Sequence, residues 1–102
     1  MKIFLSGQMT GRPNFAYEEF TQVTSYLRSL GHEVVNPAEI SNGETHYARS
    51  HYMWHSLMGL LSCEALVQLP GWQESRGATT EYRVAVETGM DIYSLEEFKH
   101  LV

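Results

Sequence analysis

Lys2-Ile-Phe-Leu-Ser6, closed by Gly7, is the stretch that decides the fold. It is a continuous apolar run, which reads as a buried strand of a parallel sheet rather than a half-exposed one. The segment after it, Gly7–Asn14, carries Gly7, Gly11 and Pro13 and reads as a loop. Asn14 is placed to cap a helix, with Glu18 and Glu19 near its start. Phe20, Val23, Leu27 and Leu30 then recur at helical spacing, and Gly31 supplies a stop. His32–Asn36 holds Val34-Val35 and ends at Pro37, which predicts a second strand. Strand, helix and strand at this spacing form a βαβ unit.

The same alternation continues. Residues 37–48 read as loop, and Met53, Leu57, Leu60 and Leu61 mark a second helix with Ser50 as candidate cap. Ala65–Leu69 reads as a third strand, closed by Pro70-Gly71. A helix from about Gly77 carries Ala78, Tyr82, Ala85 and Val86 on one face and stops at Gly89. Asp91–Ser94 is a fourth strand. Ser94-Leu-Glu-Glu97 is a capping box that opens a last helix with Phe98, Leu101 and Val102. The pattern predicts one α/β domain over residues 1–102, a three-layer Rossmann- or flavodoxin-like fold with a parallel sheet of four to five strands. Ligands of such sheets bind at the carboxyl ends of strands, where the strand order reverses. The loops after strands one and three are therefore the place to search.

Composition narrows the function. The chain has 102 residues, 43% hydrophobic and 19% charged, an ordinary globular balance. The formal net charge is −5, and the basic residues Lys2, Arg12, Arg28, Arg49, Arg76, Arg83 and Lys99 are scattered. Without a basic stripe, a duplex nucleic-acid partner is not expected, whereas a small anion needs only one or two cations and a helix N-terminus. The single Cys63 precludes an intrachain disulfide and reads as a core filler. The apolar run Met1–Ser6 is too short to span a membrane and lacks a cleavage pattern. The expectation is a cytoplasmic protein with no membrane partner. Tyr17, Tyr26, Tyr47, Tyr52, Trp54 and Met58 exceed what a small monomer's surface needs and suggest a homodimer.

Gly7-Gln-Met-Thr-Gly11 is not a dinucleotide fingerprint, and the chain has no P-loop. Gly7 and Gly11 read equally well as turn chemistry. Pro70-Gly-Trp-Gln-Glu-Ser-Arg-Gly-Ala78 is more informative. Ser75, Arg76 and Gly77 precede a helix, where amides, a hydroxyl and a guanidinium can converge on a phosphate, and Trp72 can stack on a base or sugar. The alternative is a capped helix with an exposed arginine and a packed tryptophan. Glu81 falls in the first turn or so of that helix, where the dipole is expected to keep it ionised and able to attack an anomeric carbon. An ordinary first-turn glutamate is the competing reading. His51 and His55 are spaced i, i+4 but lack a third ligand, so they read as surface or stacking residues and no metal is expected. No cofactor is expected either.

Three segments taken together carry a resemblance: Lys2-Ile-Phe-Leu-Ser-Gly-Gln-Met-Thr-Gly11, Gly31-His-Glu-Val-Val-Asn-Pro-Ala38, and Leu69-Pro-Gly-Trp-Gln-Glu-Ser-Arg-Gly-Ala78 with Glu81. Their order and spacing resemble a short nucleoside 2-deoxyribosyltransferase-like family of bacterial and phage proteins. That family is similar to the nucleoside 2-deoxyribosyltransferases and the 2′-deoxynucleoside 5′-phosphate N-hydrolases. The resemblance implies Glu81 as nucleophile on C1′ and Ser75 as a contact of the 5′-phosphate. It also places Ser6, Gly7 and Met9 near the sugar, and it implies at least a dimer. Gly71, Trp72, Arg76 and Gly77 complete the expected ligand set.

Two positions depart from the pattern. Ser56 stands where the family has an aspartate that assists the leaving group, and Phe4 stands where the enzymes have an aromatic hydroxyl. Serine keeps a hydrogen bond to a ligand but supplies no carboxylic proton, help that is typically worth about 10²–10⁴-fold. His55 is the neighbouring proton source, but consecutive helical residues point about 100° apart. The expected function is therefore cleavage or transfer at the N-glycosidic bond of a (deoxy)nucleoside 5′-monophosphate. The alternative is a protein that binds or sequesters a nucleotide or nucleotide-derived signal without turnover.

Overall fold

A computed structural model describes residues 1–9, 11–39 and 46–101. Four strands form one parallel sheet: β1 (Lys2–Ser6), β2 (Glu33–Val35), β3 (Ala65–Gln68) and β4 (Asp91–Ser94). Their order is β2-β1-β3-β4, with Ser6 paired to Gln68 at the carboxyl end of the central pair. The helices are α1 (Tyr17–Ser29), α2 (Arg49–Leu61), α3 (Arg76–Thr88) and α4 (Leu95–Lys99).

Strand alternation explains the layers. Ile3 and Leu5 point to one side, where Phe20 and Leu27 of α1 and Phe98 of α4 cover them. Phe4 points to the other side and packs with Leu66, Leu60 of α2 and Ala85 of α3. Both faces of β1 are thus dry, which accounts for its unbroken apolar run. Phe4 lies in this core and carries no hydroxyl to the site. Gly59 lets α2 approach the sheet, because a Cβ there would lie 2.9 Å from Val35 Cγ1. Gly7 has the same kind of reason. A Cβ would lie 3.0 Å from Leu69 Cβ, so close packing rather than turn geometry requires glycine.

Several local expectations are met. Gly89 ends α3 in the left-handed conformation, at φ 74°. The Ser94 capping box is present, with Glu97 N–H donating to Ser94 Oγ and Ser94 N–H to Glu97 Oε1. Others are corrected. Asn14 does not cap α1. Asn14, Phe15 and Ala16 form a left-handed turn at φ 49°, 55° and 55°, and Ala16 is the residue that precedes the helix. The Arg12–Glu19 ion pair at 2.9 Å ties this loop to α1. Ser50 lies inside α2, which starts after Ala48 without a side-chain cap. The last helix ends at Lys99, leaving Leu101 exposed. Thr10, residues 40–45 of the expected loop and Val102 lie outside the described residues. Among the described residues no helix is long and apolar enough to cross a membrane.

Candidate functional site

A cavity of about 590 Å³ opens at the carboxyl ends of β1 and β3, where the strand order reverses. Its floor is Glu81. This residue belongs to the second turn of α3 and is only 6% exposed. Ser6 Oγ, at the end of β1, donates to Glu81 Oε1 at 2.6 Å. The Ser56 hydroxyl, on the buried face of α2, stands near the same carboxyl and favours its charged form. Burial raises the Glu81 pKa from 4.5 to about 7, and the two hydroxyls pull it only partly back. The expectation that the helix dipole keeps this glutamate ionised is thus corrected. Desolvation wins because the side chain is buried rather than facing solvent at the helix start.

The start of α3 forms the adjoining wall. Ser75 is its N-cap, and its Oγ accepts from Ala78 N–H at 3.1 Å. That bond uses one lone pair and leaves the hydroxyl proton free to donate. The first amides of α3, at Arg76 and Gly77, have no intrahelical partner. Ser75, Arg76, Gly77 and Glu81 line the same cavity, as do Gly7, Met9 and Ser56. Gly77 sits beside Met53 of α2, where an added Cβ would be 3.5 Å from Met53 Cε.

Three expected residues are placed elsewhere. Ser6 is fully buried behind Glu81, so it touches the carboxyl rather than the cavity. Gly71 does not line the cavity; it takes φ 86° at the turn after β3. Trp72 does not line it either, and its ring packs 5.0 Å from that of Tyr82. His55 is exposed beside buried Ser56 and is directed away from Glu81. His51 lies 4.2 Å from the Tyr47 ring and 4.5 Å from that of His55, in the stacking role expected of the pair. No cluster able to hold a metal occurs among the described residues. Cys63 is half-buried, donates to Gly59 O at 3.3 Å, and has its thiol pKa raised by burial.

The far wall was not anticipated as a site. Tyr17, Tyr47, Arg49, Tyr52 and Met53 line the cavity, and Tyr52 Oη accepts from Tyr47 N–H at 3.1 Å. The aromatic residues among them were read as surface for a dimer. The signal was present in the spacing: Arg49, Tyr52, Met53 and Ser56 follow i, i+3, i+4, i+7, one face of α2.

An α/β domain with a buried carboxyl at the strand-order switch is the class that fold and site define. The chain belongs to the family described as a domain of unknown function, DUF4406, whose model matches residues 1–94. A 2-deoxyribosyltransferase from the psychrotolerant bacterium Bacillus psychrosaccharolyticus has a similar structure. The TM-score is 0.75 over 92% of this chain and 71% of that one, at 18% identity. At that identity the likeness establishes the shared α/β fold. No curated protein sequence matches the chain.

Proposed function

We propose that the protein cleaves or transfers the N-glycosidic bond of a (deoxy)nucleoside 5′-monophosphate, with Glu81 as nucleophile. The observation that carries this reading is the single cavity shared by a buried carboxyl and the amino end of the helix that bears it. Ser75 and Glu81 are six residues apart on α3. At 1.5 Å per residue that is about 9 Å along the axis, a gap a sugar phosphate bridges with its phosphate on Ser75 and Arg76 and C1′ over Glu81. The likeness to a 2-deoxyribosyltransferase supports a nucleoside as the substrate class.

In this reading an ionised Glu81 oxygen attacks C1′. The C1′–N bond breaks with its electron pair passing to the base, which takes a proton from water. Water or a second base then displaces the glycosyl ester and returns the carboxylate. Ser6 positions the attacking carboxyl. Ser56 can hydrogen-bond but cannot supply the proton that a carboxylic acid would.

That substitution favours a second reading, in which the same cavity binds a nucleotide or nucleotide-derived signal and returns it intact. A base-release assay over 2′-deoxynucleoside monophosphates separates the two. Free base from the native protein, lost in Glu81→Ala, supports catalysis. Tight stoichiometric binding without base release supports the binding reading.

A further inference from the structure

Two arginines, Arg49 and Arg76, line the cavity, and neither guanidinium has a carboxylate partner among the described residues. Arg12 and Arg28 are neutralised locally, by Glu19 and Glu39, each at 2.9 Å, whereas Arg83 is exposed on α3 outside the cavity. The carboxyls on the cavity wall are Glu81, already engaged by Ser6, and Glu74, which is exposed like the two arginines and forms no ion pair with either. Two unpaired cations facing one cavity are notable in a chain of net charge −5.

Their positions strengthen the point. Arg49 and Arg76 are the first residues of α2 and α3, and neither helix has an acidic residue in its first turn. A cation there opposes the helix dipole. The two remaining helices obey the dipole: α1 opens with Glu18 and Glu19 and ends with Arg28, and α4 opens with Glu96 and Glu97 and ends with Lys99. Of the three described helices that reach the cavity, α1 touches it through Tyr17 and obeys the rule, while α2 and α3 reverse it with arginines that line the cavity. Such an arrangement is relieved by bound negative charge. A monophosphate is already served by Ser75, Arg76 and the free amides of α3, which leaves Arg49 on the other wall unanswered.

We propose that the cavity takes a nucleotide bearing two phosphoryl groups, with Arg49 reading the second while Ser75 and Arg76 hold the first. This rests on the nucleotide reading above and narrows its substrate class. The second group is either the β-phosphate of a 5′-diphosphate or a phosphate on the sugar 3′-oxygen. Both present the same dianionic oxygens to a guanidinium.

Calorimetric titration with a 2′-deoxynucleoside 5′-monophosphate, its 5′-diphosphate and its 3′,5′-bisphosphate tests this. One doubly phosphorylated ligand binds the native protein tighter than the monophosphate by on the order of tenfold, the scale of one added charge-assisted contact. The tighter arm identifies where the second phosphate sits. Arg49→Gln abolishes that preference. Arg83→Gln, an exposed arginine of α3 outside the cavity, keeps it. Equal affinity for all three ligands, no binding of any, or a preference that survives Arg49→Gln overturns the proposal. Base release from the monophosphate, measured in parallel with Glu81→Gln, keeps the two ideas separable. Glu81-dependent release without the preference sinks only the two-phosphate inference. The preference without release sinks only the catalytic reading.

Discussion

Replacing Glu81 by glutamine should change how stability depends on pH. The carboxyl titrates near its ordinary value of 4.5 when unfolded and at about 7 in the folded protein, because burial disfavours the charge. Below pH 4.5 both states hold the proton. Between 4.5 and 7 the unfolded chain releases it while the folded protein retains it, so stability falls as pH rises. Above 7 both states are ionised and the loss is complete. At about 1.4 kcal/mol per pH unit the interval amounts to about 3 kcal/mol. Glu81→Gln keeps the side chain's size and removes the proton, so this contribution to the slope disappears. Subtracting the variant's pH profile from the native one cancels the other ionisable groups, including Glu97, whose pKa its hydrogen bonds to Ser94 lower. Thermal unfolding of both proteins from about pH 4 to pH 8 measures the difference. The variant should be as stable as the native protein at the acid end. At the alkaline end it should unfold roughly 10–25 °C higher, the scale of about 3 kcal/mol in a domain of this size. Parallel profiles across the range would refute the argument that burial, rather than the helix dipole, governs this carboxyl.

Ser56→Asp should restore an acid beside the leaving group and raise base release by about 10²-fold or more, within the usual range for general acid help. An unchanged rate in a folded variant would show that the missing acid at position 56 does not limit base release. Gly59→Ala should be destabilising by about 1–2 kcal/mol, because overpacking against Val35 Cγ1 at 2.9 Å outweighs the gain in helix propensity. A higher urea midpoint for this variant would contradict that packing. Trp54, Met58 and Leu61 are exposed by 60%, 54% and 57% and follow i, i+4, i+7 on α2. This stripe should bring two copies together, and Met58→Glu should return light scattering to the 11.7 kDa monomer. A native protein that scatters as a monomer at micromolar concentration would contradict it.

What was legible in the sequence is what burial and caps write into it. Ile3-Phe-Leu5 is apolar throughout because β1 is covered on both faces, and Gly89 and Ser94 mark helix boundaries through backbone chemistry. Ser75 could be found because a cap is a local event. The left-handed turn at Asn14–Ala16 could not, since Phe and Ala disfavour that conformation by about 1–2 kcal/mol each. The protonation of Glu81 depends on burial by tertiary packing, which the Ser6 and Ser56 hydroxyls from two other elements only partly offset. The Tyr47, Arg49 and Tyr52 wall was in reach of helical periodicity but was absorbed into a surface reading. Aromatic residues that ring a cavity and aromatic residues that join subunits look alike until the fold places them.

The central claim is that Glu81 forms a bond to C1′. Intact-mass analysis of the protein, acid-quenched during turnover of a 2′-deoxynucleoside 5′-monophosphate, tests it most directly. The expected result is an added deoxyribose phosphate, mapped by peptide analysis to Glu81 and absent from Glu81→Gln. Base release that proceeds equally in the variant, or with no adduct on Glu81, would contradict it.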